Sequence, residues 1–396
     1  MINLLPRDNW EYSLVDLVHG LAASAGRREQ PEKIHIAQLG GCIPVNSGRA
    51  GLVAAIKALD LPPGACVGVP LYCCPIVFSA ISSAGCTMRF IDIEPDTFCM
   101  SPQDLTRKRQ GIDAVIAVHM FGNICDIGKL REVIRDIPII EDCAQALGSK
   151  IGARMAGSLG TVSFFSFRSG KYLSAGEGGA LFTDDPRIES RIIELIGDMP
   201  VPTRVEEFSH IVKIYIKSKL RRKPLYGLVG HLLWDVYNRK FSSEDNSDIL
   251  LMQIHLADLK LIKKRLFFLN EYIDKQRSNA EIYSTVMELD PAMLCTEKPG
   301  TFYNRCYFPI TFSSREQRDF MATHLLGRGI DTMKFIDDVV KVAERHYGYR
   351  GGCPVSEQLS KSVLVIPNYH TLGKTDVQRV ADIVSQGWKD SSKSAS

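Results

Sequence analysis

Nothing in this sequence commits it to an extreme class of protein. It has no run of about eighteen uncharged apolar residues, the length a membrane-spanning helix needs, so a spanning segment is not expected. The opening stretch MINLLPRDNWEYSLVDL is interrupted by Arg7, Asp8, Glu11 and Asp16 and has no apolar core, so a secretory leader is not expected there. A charge excess is missing too. The 48 Lys and Arg face 45 Asp and Glu, and a net charge of +3 is too small to make nucleic acid a global partner. The 11 cysteines are scattered and contain no CxxC pair, so neither a disulfide framework nor a zinc site is expected. Reduced thiols in a cytoplasmic protein are the expectation.

Common catalytic signatures are also lacking. Gly170-Lys171 is followed by Tyr172 rather than Ser or Thr, and no glycine stands where a P-loop would need one. No GxGxxG opens a helix after a strand, and neither GxSxG nor HExxH occurs.

What is present is a chain of 396 residues, long enough for a large domain and a smaller one. Strands are predicted at 66–70, 88–93, 113–119, 137–141, 161–166 and 179–183, and helices near 49–59, 75–84, 102–109, 127–135 and 186–197. Buried strands alternating with amphipathic helices predict an α/β fold, a mainly parallel sheet covered on both faces. Ligands of such sheets sit at the carboxyl ends of strands and at helix N-termini. Residues 200–248 break the rhythm as a basic and apolar insertion, and 249–290 read as a long helix or helix pair. From about 300 a strand and two helices predict a small α+β domain. The expected division is 1–255 and 256–390, with 391–396 a disordered tail.

Four local signals follow one another on this scaffold. Asn46-Ser47-Gly48-Arg49-Ala50 precedes the first helix of the alternating region, where backbone N–H groups and the helix dipole attract a phosphate; a plain helix cap by Ser47 explains it as well. Glu141-Asp142-Cys143-Ala144-Gln145 ends an apolar strand, where an acid can meet a ligand or simply cap the next helix. An Asp opposite a pyridine nitrogen keeps such a ring protonated, so that it works as an electron sink. The run from Ser163 to Leu173 carries Lys171 in a short loop, with Ser166 and Ser169 able to donate to phosphate oxygens. A lysine there can form an imine with an aldehyde, although a solvated loop lysine is the plainer reading. Gly176-Glu177-Gly178-Gly179 reads as a tight turn feeding a strand.

In this order, with SGRAG, EDCAQALGS, AGSLGTVSFFSFRSGK and GEGGALFTDD, the chain resembles the DegT/DnrJ/EryC1/StrS family of sugar aminotransferases. The likeness is continuous over about 45–195 and resumes more faintly over 300–388. It implies the pyridoxal-5′-phosphate (PLP) fold type I, aspartate aminotransferase-like, with a seven-stranded, mainly parallel sheet and a small C-terminal α+β domain. It implies an aminotransferase with two half-reactions. An amino donor, L-glutamate, would load the cofactor, and a nucleotide-linked keto-sugar for surface polysaccharide or secondary-metabolite sugars would accept the amine. A different acceptor and a non-catalytic regulatory relative are the alternatives. Lys171 would be the Schiff-base lysine and proton carrier, Asp142 the partner of the pyridinium nitrogen, and Gln145 a hydrogen bond near the ring's 3-oxygen. Ser166, with Gly48, Arg49 and Ala50, would hold the phosphate. Related dehydratases carry His at the lysine position, so Lys171 argues for transamination.

Three positions depart from the family pattern. Arg49 stands where Thr is common. Cys74 stands where an aromatic stacks on the ring, with Tyr72 the nearest aromatic. The phosphate-binding Asn that the family borrows from a second subunit, in a homodimer with its site at the interface, has Asn246 as its local candidate. His119, Tyr369 and His370 are further side chains able to line a site, although each is more often structural. Between Lys213 and Lys240 eight Lys or Arg face the single acid Asp235, with apolar residues up to Trp234 among them. A packed helical arm is the plain reading. Weak contact with an anionic membrane surface, peripheral to the inner membrane, or a grip on a nucleotide diphosphate, is the sharper one.

Overall fold

The computed structural model describes residues 2–8, 11–26, 32–233 and 249–394. Its strands are β1 (Ile34–Ile36), β2 (Gly40–Val45), β3 (Cys66–Pro70), β4 (Thr87–Ile91), β5 (Ala114–Val118), β6 (Ile139–Asp142), β7 (Lys150–Ile151), β8 (Arg154–Met155), β9 (Val162–Ser166), β10 (Gly179–Phe182), β11 (Thr301–Phe302), β12 (Phe308–Thr311) and β13 (Val363–Ile366). Its helices are α1 (Leu14–Ala25), α2 (Gly48–Ala58), α3 (Ile76–Ser83), α4 (Pro102–Lys108), α5 (Ile127–Ile134), α6 (Pro186–Gly197), α7 (Arg204–Leu220), α8 (Leu256–Leu266), α9 (Leu269–Val286), α10 (Arg315–Gly327), α11 (Val339–His346), α12 (Pro354–Ser362) and α13 (Lys374–Ser394).

One large sheet organises these elements in the order β1-β2-β10-β9-β6-β5-β3-β4. The strands β9, β6, β5, β3 and β4 are parallel. Strand β10 runs against both β9 and β2, and β1 runs against β2. Among the described residues the sheet has eight strands, not the expected seven. The extra one, β1, is a three-residue edge, too short to show a period in the sequence. Burial on both faces explains the continuous apolar runs: β5 is AVIAV, buried at every position. Helices α2, α3 and α6 cover one face with Leu52, Val53, Phe78, Ile81, Ile188 and Ile192. Helices α5, α7 and α8 cover the other with Leu130, Ile134, Ile211, Ile214 and Ile262.

A third core lies between the β12–β13 pair and helices α9, α10 and α13, around Tyr283, Phe308, Met321, Leu364 and Val380. The expected division at 255/256 does not follow the packing. Ile262 of α8 and Ile273 of α9 belong to the core under the large sheet, and α9 enters the third core only from Ala280. Leu5 is also in that third core: its N–H donates to the Gly329 carbonyl at 2.8 Å, and the Asp331 N–H donates back at 3.0 Å. An amphipathic helix pair shows which face is apolar, not which core will take it. The tail expected to be disordered instead extends α13 as far as Ser394. The basic and apolar arm is helical through α7, which packs on α1 and α8. Trp234, Arg239, Lys240 and Asn246 lie outside the described residues. Among the described residues no helix is long and apolar enough to cross a membrane.

Candidate active site

Strand direction brings the four sequence signals to one edge. Because β2 and β9 both run against β10, β2 points the same way as the parallel strands. Their carboxyl ends therefore lie together. Ser47 and Gly48 follow β2, Asp142 ends β6, Ser166 ends β9, and Cys74 follows β3. A cavity of about 70 Å³ at this edge is lined by Ser47, Gly48, Arg49, Cys74, Asp142, Gln145, Ser166 and Lys171. Val77, Val118 and Phe164 add apolar wall.

Helix α2 begins on the cavity. The Ser47 hydroxyl accepts from the Ala50 N–H at 3.2 Å, capping the helix. The first-turn N–H groups of Gly48 and Arg49 have no acceptor within their own helix and point out of its end. Ala50, expected at the phosphate, is thus committed to the cap, and its fully buried side chain is not on the cavity wall. Gly48 is required by crowding: a Cβ there would stand 2.7 Å from Ser166 Cβ, so only glycine lets the helix start meet the end of β9.

The lysine loop is tied at both sides. Phe167 N–H donates to the Gly178 carbonyl at 2.9 Å, Ala175 N–H to Phe167 at 2.8 Å, and Ser169 N–H to Gly176 at 2.9 Å. The Tyr307 hydroxyl donates to the Gly170 carbonyl at 2.7 Å. Gly176 has φ 106°, and a Cβ on it would lie 2.4 Å from Ile214 Cδ1, so the glycine turn is seated under α7. Lys171 is therefore half-buried on a fixed loop rather than solvated.

Asp142 accepts from the Ala144 N–H at 3.0 Å. Burial pushes its carboxyl above the usual range, against the opposing pull of Lys171 and His119. Gln145 accepts from the Phe121 N–H at 2.9 Å. The base of the site is Glu141, fully buried, whose carboxylate accepts from Gly157 N–H at 2.9 Å, Leu159 N–H at 2.7 Å and Gly160 N–H at 2.5 Å. Its fourth partner is His119 Nε2 at 2.9 Å, while His119 Nδ1 accepts from the Cys125 N–H at 2.9 Å. His119 is thus a structural brace rather than a lining residue. Tyr369 and His370 do not line the cavity either; His370 stacks on Tyr272 at 4.0 Å. Tyr72 is no substitute for a stacking ring, since it is wholly buried against Phe98 at 5.7 Å and Phe121 at 6.3 Å.

A second cavity of about 230 Å³ adjoins the first and shares Ser47, Arg49 and Glu177 with it. Ser169, expected at a phosphate, lines this one, together with Lys213 and Lys217 of α7. Sequence reasoning missed Glu177 and Arg168 as lining residues. The signal was a charged side chain set between glycines beside the lysine loop, which a turn reading passes over.

The sequence profile of the DegT/DnrJ/EryC1/StrS aminotransferase family matches residues 35–213 and 252–385. The chain belongs to this family. It is therefore an aminotransferase, with PLP as its cofactor. GDP-perosamine synthase of Escherichia coli O157:H7 is 24% identical over 349 residues, covering 87% of this chain and 85% of that protein. L-glutamine:2-deoxy-scyllo-inosose aminotransferase of Streptomyces kanamyceticus is 33% identical, but over 44% of this chain and 42% of its own length. The PLP form of Spr1654 from Streptococcus pneumoniae shares the fold, with a TM-score of 0.74 at 17% identity over 98% of this chain and 99% of that one.

The donor set fits that cofactor. A helix start and Ser166 approach each other as closely as glycine allows, a cradle suited to a phosphate. A buried carboxyl at Asp142 and an amine at Lys171 face the same small space.

Proposed function

We propose that the protein transfers an amino group from L-glutamate to the ketone of a nucleotide-linked sugar. The observation that carries the site assignment is the single cavity joining Lys171, Asp142, Ser166 and the start of α2. The nucleotide-linked acceptor is supported by likeness to GDP-perosamine synthase over most of both chains. The cofactor, when bound, supplies an aldehyde for the amine and a ring that takes up electrons from the amino-acid carbon.

The chain's own residues do the rest. Asp142 would pair with a ring nitrogen and hold a proton on it, because a cation there relieves a carboxylate that burial disfavours. Ser166 donates to the phosphate, beside the N–H groups of Gly48 and Arg49. Gln145, fixed through Phe121, orients the ring edge. Lys171 Nζ takes a proton from the donor's Cα and returns it on the other side of the exchange. Cys74 and Val118 line the cavity and would keep water from the bound ring. Exposed apolar residues on α1 (Leu14, Val15, Val18) and α7 (Val205, Phe208, Ile216) support a homodimer.

A cyclitol ketone is the second reading, favoured by the inosose aminotransferase likeness over 44% of the chain. Amination of a panel of nucleotide keto-sugars and of scyllo-inosose, with L-glutamate and L-glutamine as donors, decides between them. Turnover of the free cyclitol alone would overturn the nucleotide-linked reading.

A further inference from the structure

We propose that Tyr307 is a positioning residue for Lys171, carried on a strap, residues 304–307, that ties the lysine loop and Gln145 to the third core. The inference rests on the reading of Lys171 as the reactive amine. The Tyr307 hydroxyl donates at 2.7 Å to the carbonyl of Gly170, the residue before the lysine. On the other side of the lysine, the Tyr172 N–H points at the Cys306 sulfur. Burial pushes the Cys306 thiol up to about 12, and Lys171 opposes this. Consecutive strap residues thus meet the two peptide groups that bracket Lys171. Asn304 reaches the Gln145 side. Its Nδ2 donates to the Gln145 carbonyl at 3.0 Å and to the Leu147 carbonyl at 2.9 Å, and its N–H donates to Ser149 Oγ at 3.0 Å.

The strap is itself fixed. Asn304 Oδ1 accepts from the Cys306 N–H at 2.9 Å. Arg305 is left-handed, at φ 58°, and its carbonyl accepts from Asn368 Nδ2 at 2.8 Å. Phe308, next in the chain, starts β12 inside the third core. The Tyr307 ring sits against Phe335 at 5.7 Å and Phe121 at 6.3 Å, and the Phe121 N–H is the one that holds Gln145. Removing the hydroxyl therefore leaves a ring to pack and releases the Gly170 carbonyl. Lysine carries its amine on a flexible four-carbon stem, so the peptide groups at its root decide where the amine stands. A misplacement of about 1 Å can cost a hundredfold in rate. The ties at Phe167, Ser169 and Ala175 remain, so a smaller loss is expected here.

Tyr307→Phe is compared with the unaltered protein and with Phe335→Leu, which loosens the same aromatic cluster but keeps the hydroxyl. Each is loaded with PLP and mixed with L-glutamate or L-glutamine, and the visible band is followed through a single turnover. In Tyr307→Phe the maximal rate should fall about tenfold while the half-saturating donor concentration stays within about twofold, the pattern of lost geometry rather than lost binding. PLP affinity, titrated on apo-protein, should also stay within about twofold, because the proposed phosphate and ring contacts do not pass through Gly170. The pH midpoint of the visible band should move by about half a unit or more, since the lysine nitrogen is displaced. Phe335→Leu should lower the urea midpoint and leave the maximal rate within about twofold. An unchanged maximal rate in Tyr307→Phe overturns the proposal. So does an equal loss in Phe335→Leu, which would make Tyr307 a packing residue only. If neither donor reacts with the unaltered protein, the donor reading fails, and an unmoved pH midpoint in Tyr307→Phe overturns the positioning role. An amine that borohydride still fixes in Lys171→Ala overturns the site reading itself, whatever Tyr307 does.

Discussion

Glu141→Gln is the most discriminating probe of how the site is held. The change is nearly isosteric, so its effect comes from hydrogen-bond polarity. One carboxylate oxygen accepts from Leu159 and Gly160, the other from Gly157 and from His119 Nε2. An amide can keep only one of these oxygens. Whichever way it turns, its NH₂ faces two donors. His119 cannot rescue the pair by changing tautomer, because its Nδ1 is already the acceptor for the Cys125 N–H. Two buried donors therefore lose their acceptor, at about 1–3 kcal/mol each, and a loss of ~2–6 kcal/mol is expected. Urea unfolding of the two proteins measures it. The loop 157–160 should also loosen, and with it the position of Asp142, so PLP affinity should fall in parallel. A Glu141→Gln protein within about 0.5 kcal/mol of the original would mean the brace is not as described. The same carboxyl, held below its usual range by His119 and the backbone donors, gives stability that is present above the unfolded carboxyl pKa and lost as pH falls through its folded value.

Three further outcomes are expected. Lys171→Ala should remove the visible absorption of the cofactor-loaded protein and leave borohydride nothing to fix; a persistent signal would place the reactive amine elsewhere. Gly48→Ala puts a methyl 2.7 Å from Ser166 Cβ, and the displacement, worth about 1–3 kcal/mol of overpacking, should weaken PLP binding tenfold or more in a titration of apo-protein, whereas an unchanged affinity would exclude the cradle. Burial and Arg265 push His370 down from 6.5 to about 4, so the unfolded chain takes up that proton first; stability should be intact above about pH 6.5 and fall towards pH 4, by at most ~3 kcal/mol less the screening of a partly wet ring. His370→Phe should flatten that part of the profile, measured by urea midpoints at pH 7 and 5, and an unchanged slope would refute it.

The alternating half of the molecule was legible because each element carried its own period. Helix α6 spaces Ile188, Ile192 and Ile196 four apart behind the Asp185 cap, and its predicted bounds, 186–197, match the structure. The site was legible in the same region because strand ends and helix starts are where such a sheet must bind. What was hidden depends on long-range packing. Nothing local to Leu5 shows that it bridges to Ile330, and nothing in α8 shows that its apolar stripe meets the large sheet. The roles of His119 and Glu141 were hidden for a similar reason. An acid inside an apolar strand announces a partner, but the three backbone donors lie 16 to 19 residues further on, in the AGSLG loop, whose sequence does not show which carboxylate its N–H groups will meet.

The two family departures on the cavity wall act in opposite directions. At Cys74 the wall loses an aromatic face, worth ~0.5–1.5 kcal/mol against a ring. At Arg49 it gains a guanidinium at the helix start, where a charge-assisted bond to phosphate is worth ~1.5–3 kcal/mol. On the proposed roles the second term is the larger, so Arg49 would move the grip on the cofactor from its ring towards its phosphate. Arg49 also lines the adjoining cavity with Lys213 and Lys217, and so couples the two. A phosphate-held cofactor tolerates a small residue over its ring. Cys74 and Arg49 are, on the proposed roles, two sides of one arrangement, in which a charged contact to phosphate would replace stacking.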